Sequence, residues 1–220
     1  MTGIGYEKDL KNFMADTLLI SSSRIIQWMN VIRDTPAEME FRVLESFWDS
    51  QLRSKSWLVN IIKKYMPELS GNVYIMGGWY GILSQLIVDN FLTSVYNIDI
   101  DASCVKYGGV LSEYDQRIKF ITTDMANFSN YINPQLIINT STEHISQDTY
   151  DIWLEKTPDW EVPIIIQGNN FYDCFDHIRC FDTLEEFNNN SRLRHIIFTD
   201  KLKCMGPDGP FDRFMTMGYK

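Results

Sequence analysis

The chain has 220 residues, 45% hydrophobic and 22% charged, enough for one large domain with a substantial core and unlike the depleted composition of a disordered chain. A formal net charge of −9 repels polyanions at long range and argues against a nucleic-acid partner. The opening residues lack a basic segment followed by an apolar run, and no stretch approaches the roughly twenty apolar residues of a membrane span; the expected location is the cytoplasm, with no membrane partner, and the four cysteines read as reduced thiols.

Residues 1–67 read as a helical cap. Ile25, Met29 and Ile32 follow the Ser21-Ser22-Ser23 cluster at helical spacing. Thr35-Pro36-Ala37-Glu38 supplies an N-cap, a proline at the first helical position and a capping-box glutamate. The helix expected there carries Phe41, Leu44, Trp48 and Leu52 on one apolar stripe, and Leu58, Ile61, Ile62 and Tyr65 repeat the pattern up to Pro67. Arg53, Lys55, Lys63 and Lys64 read as the solvated face of that helix. Such a cap either packs on the main domain or serves as a lid over a pocket.

From Gly71 the texture changes, and residues 68–220 read as a second unit. Segments 73–76, 95–99, 118–122, 136–139 and 162–167 are strand-sized apolar runs, the first four at βαβ spacing, which argues a parallel, doubly wound α/β sheet. A helical piece at 183–186 precedes two candidate strands, 195–199 and 213–218, joined by the turn-rich Met205-Gly206-Pro207-Asp208-Gly209-Pro210. A hairpin of that kind makes the last two strands antiparallel.

In such a sheet ligands sit beyond the carboxyl ends of the strands, and glycines in the first crossover loop let backbone approach the ligand. The loop Met76-Gly77-Gly78-Trp79-Tyr80-Gly81 occupies that place, and the helix from Ile82 points its amides at a ligand. The second strand ends in Asn97-Ile98-Asp99-Ile100-Asp101. That places the Asp99 carboxylate where it can accept both hydroxyl hydrogens of a ribose, with Ile100 beside it and Asp101 as a helix cap. The third strand ends in Thr122-Thr123-Asp124-Met125, an acceptor and an apolar side chain suited to an adenine ring. Each has a bland alternative in ordinary capping.

On these residues the chain resembles the class I S-adenosylmethionine-dependent methyltransferases over 71–220. The segments Gly-Gly-Trp-Tyr-Gly and Asn-Thr-Ser-Thr-Glu-His also look like uncharacterised methyltransferase-like proteins of tailed phages. The resemblance implies a Rossmann-like, mostly parallel seven-stranded sheet with an antiparallel last strand and S-adenosylmethionine as cofactor. It implies cofactor contacts from Gly77, Gly78, Trp79, Tyr80 and Gly81, from Asp99 and Ile100, from Asp124 and Met125, and from Asn139 and Thr140. Two positions depart from the family: Ile75 stands where an acid usually precedes the loop, and Trp79 replaces the middle loop glycine.

Asn139-Thr140-Ser141-Thr142-Glu143-His144 follows the fourth strand, where this architecture places reacting groups. Methyl transfer needs an aligned acceptor, and a base when the acceptor loses a proton. Glu143 or His144 is the expected base, since histidine titrates near neutrality and a partly buried glutamate can be raised toward it; a capped turn is the alternative. Gln167-Gly168-Asn169-Asn170-Phe171-Tyr172 offers amide and phenol groups at the same edge. Asn139 is not followed by Pro-Pro-aromatic, which argues against an enzyme that methylates nucleic-acid bases and leaves a small-molecule or protein acceptor.

Two other functions fit. The strand ends at 97–101 and 121–124 are similar to those of nicotianamine synthases, which transfer the aminocarboxypropyl group of the same cofactor. The departures at Ile75 and Trp79 also fit a non-catalytic cofactor-binding module. The loop lacks the Gly-x-Gly-x-x-Gly order of nicotinamide dinucleotide sites. Cys174, His177 and Cys180, spaced by three, fall short of the four ligands of a closed zinc site, and no metal is expected.

Overall fold

The computed structural model describes residues 20–159, 161–206 and 209–220, the side chains of Ser22 and Glu38 apart. Three helices open the described chain: α1 (Ser22–Arg33), α2 (Ala37–Glu45) and α3 (Asp49–Tyr65). Ser21 caps α1 by accepting from the Arg24 amide at 3.2 Å. The capping box expected at Thr35 does not form as drawn: its hydroxyl donates back to the Val31 carbonyl at 2.8 Å, and Pro36 takes the cap position of α2 without a side-chain bond.

The expected stripe through Phe41, Leu44, Trp48 and Leu52 also fails. The Ser46 hydroxyl donates to the Val43 carbonyl at 2.6 Å, and the chain breaks there into two helices. A break shifts the helical phase, so residues drawn on one face diverge. Phe41 and Trp48 are 65% and 46% exposed, whereas Val43 is buried. The second stripe holds: Leu58, Ile61 and Ile62 are buried. Lys55 lies with them, 9% exposed, in contrast to the expected solvated face, because positions 55, 58 and 62 share one side of α3.

The sheet contains β1 (Ser70–Met76), β2 (Leu92–Asp99), β3 (Ile118–Thr122), β4 (Pro134–Asn139), β5 (Ile164–Asn169), β6 (Arg194–Gly206) and β7 (Gly209–Tyr219), in the order β3-β2-β1-β4-β5-β7-β6. The pairs from β3 through β5 are parallel, and β7 is antiparallel to both β5 and β6. Helices α4 (Ile82–Asn90), α5 (Ser103–Leu111), α6 (Gln147–Lys156) and α7 (Leu184–Asn190) complete the chain. This is the Rossmann-like, mostly parallel architecture expected.

The central strands are buried on both faces, which is why Ile137-Ile138 and Ile164-Ile165-Ile166 read as continuous apolar runs. One face packs Val73 and Ile75 with Leu58, Ile62 and Leu86, and the other packs Tyr74 and Met76 with Trp153 and Phe214. Each such aliphatic side chain stabilises the fold by about 1.5–3 kcal/mol. Trp28, Val43 and Leu58 of the opening helices share the first of these clusters, so their core is continuous with that of the sheet. The closing hairpin is longer than expected: pairing runs on to Gly206 and Gly209. Its polar outer positions, Lys201 and Lys203, are exposed while Cys204 is buried, and that one-sided packing hides the strand from an apolar-run criterion.

Candidate active site

Strand order reverses direction at β1, which is flanked by β2 and β4, and the crevice beyond the carboxyl ends of these strands is the ligand position of the architecture. The loop after β1 is left-handed at Gly77 (φ 61°), Trp79 (φ 48°) and Gly81 (φ 78°). For tryptophan that conformation costs about 1 kcal/mol, and a charge-assisted bond offsets it: the Trp79 amide donates to Asp99 Oδ2 at 2.8 Å. The other carboxylate oxygen, Oδ1, accepts from the Asp101 amide at 2.9 Å. Asp99 is half-buried, and its carboxylate retains lone pairs for further donors.

The loop is braced from below. Asn97 Nδ2 donates to the Trp79 carbonyl at 2.9 Å, and the Ser84 hydroxyl donates to Asn97 Oδ1 at 2.7 Å. A Cβ on Gly78 would stand 2.1 Å from Asn97 Oδ1, and one on Gly77 would stand 2.2 Å from the Ser141 Cβ. These two glycines are therefore required by close packing inside the protein, a role beyond the ligand approach expected of them. The Tyr80 ring, 1% exposed, is turned into the core with Trp79 stacked on it at 5.1 Å; burial pushes the Tyr80 phenol up. The Tyr80 side chain therefore belongs to the core beneath the loop.

Ile100 is exposed beside Asp99. Asp101 accepts from the Ser103 amide at 2.8 Å and pairs with Arg42 of α2 at 2.7 Å, tying the opening helices to the turn after β2. Asp124 Oδ1 accepts from the Ala126 amide at 2.9 Å. Met125 and Thr140 are half-buried, and Asn139, fully buried, donates to the Met125 sulfur at 3.3 Å and accepts from the Ser141 amide at 3.1 Å. Ile75 is completely buried in β1, so no acid stands at that position.

The neighbouring half of the edge is built from buried charge. Glu143, in the short turn Thr142–His144, is 2% exposed. Its Oε1 accepts from Arg213 Nη1 of β7 at 2.5 Å and from Asn169 Nδ2 of β5 at 2.8 Å. Burial works to raise this carboxyl, but Arg213 and the imidazoles of His144 and His177 outweigh it, and the net shift is downward. The raised glutamate base expected from the sequence is thus overturned: a guanidinium at contact distance holds the carboxylate ionised. Lys55, bonded to Gln51 Oε1 at 2.5 Å, is pushed down to about 7 by burial and by Arg213, with Glu143 opposing.

His144 is exposed, with Nδ1 3.1 Å from Asp176 Oδ2, and its ring meets His177 edge-on at 4.7 Å. A carboxylate oxygen of Glu143 and a ring nitrogen of each histidine lie within 4.8 Å of one another. The two expected catalytic side chains are therefore together. The partners that sequence reasoning missed are Lys55 and Arg213; for Lys55 the signal was present in its spacing from Leu58 and Ile62. Cys174, His177 and Cys180 lie in the segment from Asn170 to Thr183, which has no regular helix. All four cysteines are free, and no helix among the described residues is long and apolar enough to cross a membrane.

No family model and no curated protein matches the chain. Solved structures do match in fold. The N-methyltransferase NodS of Bradyrhizobium japonicum superimposes with a TM-score of 0.62 at 10% identity, over 80% of this chain and 99% of NodS. Its complex with S-adenosyl-L-homocysteine gives 0.61 at 10% identity over 88% and 99%. A Thermoplasma acidophilum protein gives 0.60 at 12% identity over 77% and 89%. The chain has the fold of the S-adenosylmethionine-dependent methyltransferases.

Proposed function

We propose that the chain is an S-adenosylmethionine-dependent methyltransferase acting on a small-molecule or protein acceptor. The observation that carries this reading is Asp99: a half-buried carboxylate at the carboxyl end of β2, gripping the β1–α4 loop through the Trp79 amide at 2.8 Å, beside the switch point of the sheet. That donor set fits a nucleoside. Asp99 would accept from the ribose hydroxyls, the second carboxylate oxygen of Asp124 would take an adenine amino group, and Ile100 and Met125 would supply apolar walls. The amino-acid end fits less well, because the buried Ile75 offers no carboxylate to an ammonium.

When bound, the cofactor supplies an electrophilic methyl group on a sulfonium. The work of this chain is alignment and proton handling. In this reading Arg213 and Asn169 fix Glu143 as an ionised anchor, and His144, the exposed member, takes the acceptor proton. The opening helices α1 to α3 act as a cap whose Arg42–Asp101 pair at 2.7 Å couples it to the turn beside Asp99; the first 19 residues of the cap read at 1–67 lie outside the described residues. The location in the cytoplasm and the likeness to phage proteins belong to this reading as well.

Thermal unfolding with S-adenosylhomocysteine tests it. Ligand at a hundred times its dissociation constant stabilises the fold by about 2.7 kcal/mol, and an unchanged transition with both S-adenosylmethionine and S-adenosylhomocysteine overturns the reading. Product analysis then distinguishes the chemistry: methyl transfer releases S-adenosylhomocysteine, and aminocarboxypropyl transfer releases methylthioadenosine.

A further inference from the structure

The connection from β5 to α7, Asn170 to Thr183, has no regular secondary structure, and side chains hold it against the turn that follows β4. Asp176 stands between two donors: its Oδ1 is 2.9 Å from the Cys174 sulfur and its Oδ2 is 3.1 Å from His144 Nδ1. Ligand atoms of Cys174, Asp176 and His177 lie within 4.8 Å of one another, and His177 also belongs to the triad with His144 and Glu143. Donor atoms around a tetrahedral zinc ion, with bonds of 2.0–2.3 Å, are separated by roughly 3.3–3.8 Å. The two triads share His177, and the 3.1 Å contact of His144 Nδ1 with Asp176 Oδ2 links them into one cluster.

Two further features point to a cation. His177 Nδ1 is 2.7 Å from the Phe171 carbonyl. A backbone acceptor there fixes the proton on Nδ1 and leaves Nε2 as a free lone pair, the outer-shell arrangement of metal-ligating histidines. Glu143, a residue 2% exposed, has a carboxylate oxygen within 4.8 Å of a ring nitrogen of each imidazole, and its Oε2 has no hydrogen-bond partner among the described residues.

We infer that His144, Asp176, His177 and Cys174 form a binding site for one divalent transition-metal ion of the zinc class, clamping the β5–α7 connection onto the turn Thr142–His144; a metal-bound His144 has no lone pair for an acceptor proton, so the ion takes the place of the base role given to it above. A thiolate, an imidazole pair and a carboxylate select zinc over magnesium or calcium. Binding replaces the Cys174 S–H bond with a sulfur–metal bond and releases the proton to solvent. The thiolate and the carboxylates of Asp176 and Glu143 offset the dication and the Arg213 guanidinium, so binding adds no uncompensated positive charge from these groups. The sequence alone argued against metal because Cys174, His177 and Cys180 lack a fourth ligand; His144 and Asp176 supply the missing donors, and Cys180 is not needed.

Cobalt titration of the chelator-treated full chain tests the site independently of any cofactor or activity. The expected result is one Co²⁺ per chain, the intense visible bands of a tetrahedral ion, and a thiolate-to-cobalt charge-transfer band in the near ultraviolet. Cys174→Ser removes the charge-transfer band, and His177→Ala lowers Zn²⁺ affinity by more than the roughly 10–100-fold typical of losing an outer-shell partner. His195→Ala and Cys204→Ser, both in β6 and outside the ligand set, leave both unchanged. Circular dichroism of each variant separates loss of the site from loss of the fold, and Asp176→Asn gives a milder lesion should His177→Ala unfold. Absence of stoichiometric cobalt binding, or binding that survives Cys174→Ser and His177→Ala undiminished, overturns the inference and leaves an ordinary hydrogen-bonded cluster.

Discussion

The two halves of the carboxyl edge are built on opposite principles. At the β1–β2–β3 half, half-buried carboxylates bind neighbouring backbone amides: Asp99 holds Trp79 and Asp101, and Asp124 holds Ala126. At the β4–β5–β7 half, Lys55, Glu143, Asn169 and Arg213 come from separate segments and are buried together, Glu143 accepting from Arg213 and Asn169. The first half leaves its acids partly solvated. The second sets its charges against one another and leaves His144 and Asp176 facing outward.

The largest way to break this contrast is Arg213→Ala. It leaves the Glu143 carboxylate buried without its cation and is expected to destabilise the fold by about 3–5 kcal/mol, measured by urea unfolding. Adding Glu143→Gln to it recovers a large part of the loss, because the uncompensated charge is gone; an equal or greater loss in the double variant contradicts the assignment.

A smaller effect comes from Lys55. Its folded-state value of about 7 lies below that of the unfolded chain, so between the two the unfolded state binds the extra proton. Stability therefore rises with pH above about 7, by up to about 1.4 kcal/mol per pH unit from this group, until the unfolded lysine also deprotonates. Lys55→Met is expected to flatten that rise and to stabilise the protein at neutral pH. Urea unfolding of both proteins from pH 7 to 10 measures it, and parallel profiles rule the buried lysine out as the cause.

On the other half, Asp99→Asn replaces a charge-assisted bond to Trp79 with a neutral one, at about 1 kcal/mol. It is also expected to abolish the stabilisation by S-adenosylhomocysteine. Calorimetric unfolding with and without ligand reads both, and a variant that keeps the full ligand shift removes Asp99 from the ribose role.

Legibility followed the same division. The expected strand at 118–122 coincides with β3, and the loop from Gly77 to Gly81 and Asp99 at the end of β2 stand where spacing placed them. Local breaks misled the reading elsewhere. The helix break at Ser46 separates Phe41 and Leu44 from Trp48 and Leu52, and Phe41 and Trp48 are exposed. The strand expected at 162–167 begins instead at Ile164, after Pro163, which has no amide for the ladder. Glu143 was found by position but assigned the wrong direction of shift, because its partner Arg213 lies on the closing hairpin, far along the chain.

Alternating helix and strand, the turn chemistry after β1 and the acid after β2 were determined by the sequence itself, since backbone preference and burial periodicity act over a few residues. Only the tertiary structure decided that Lys55 is buried, that Glu143 stays ionised, and that His144 meets Asp176 and His177. The charge state of a group and its partners depend on what packs around it, and that is settled by contacts between segments distant in the chain.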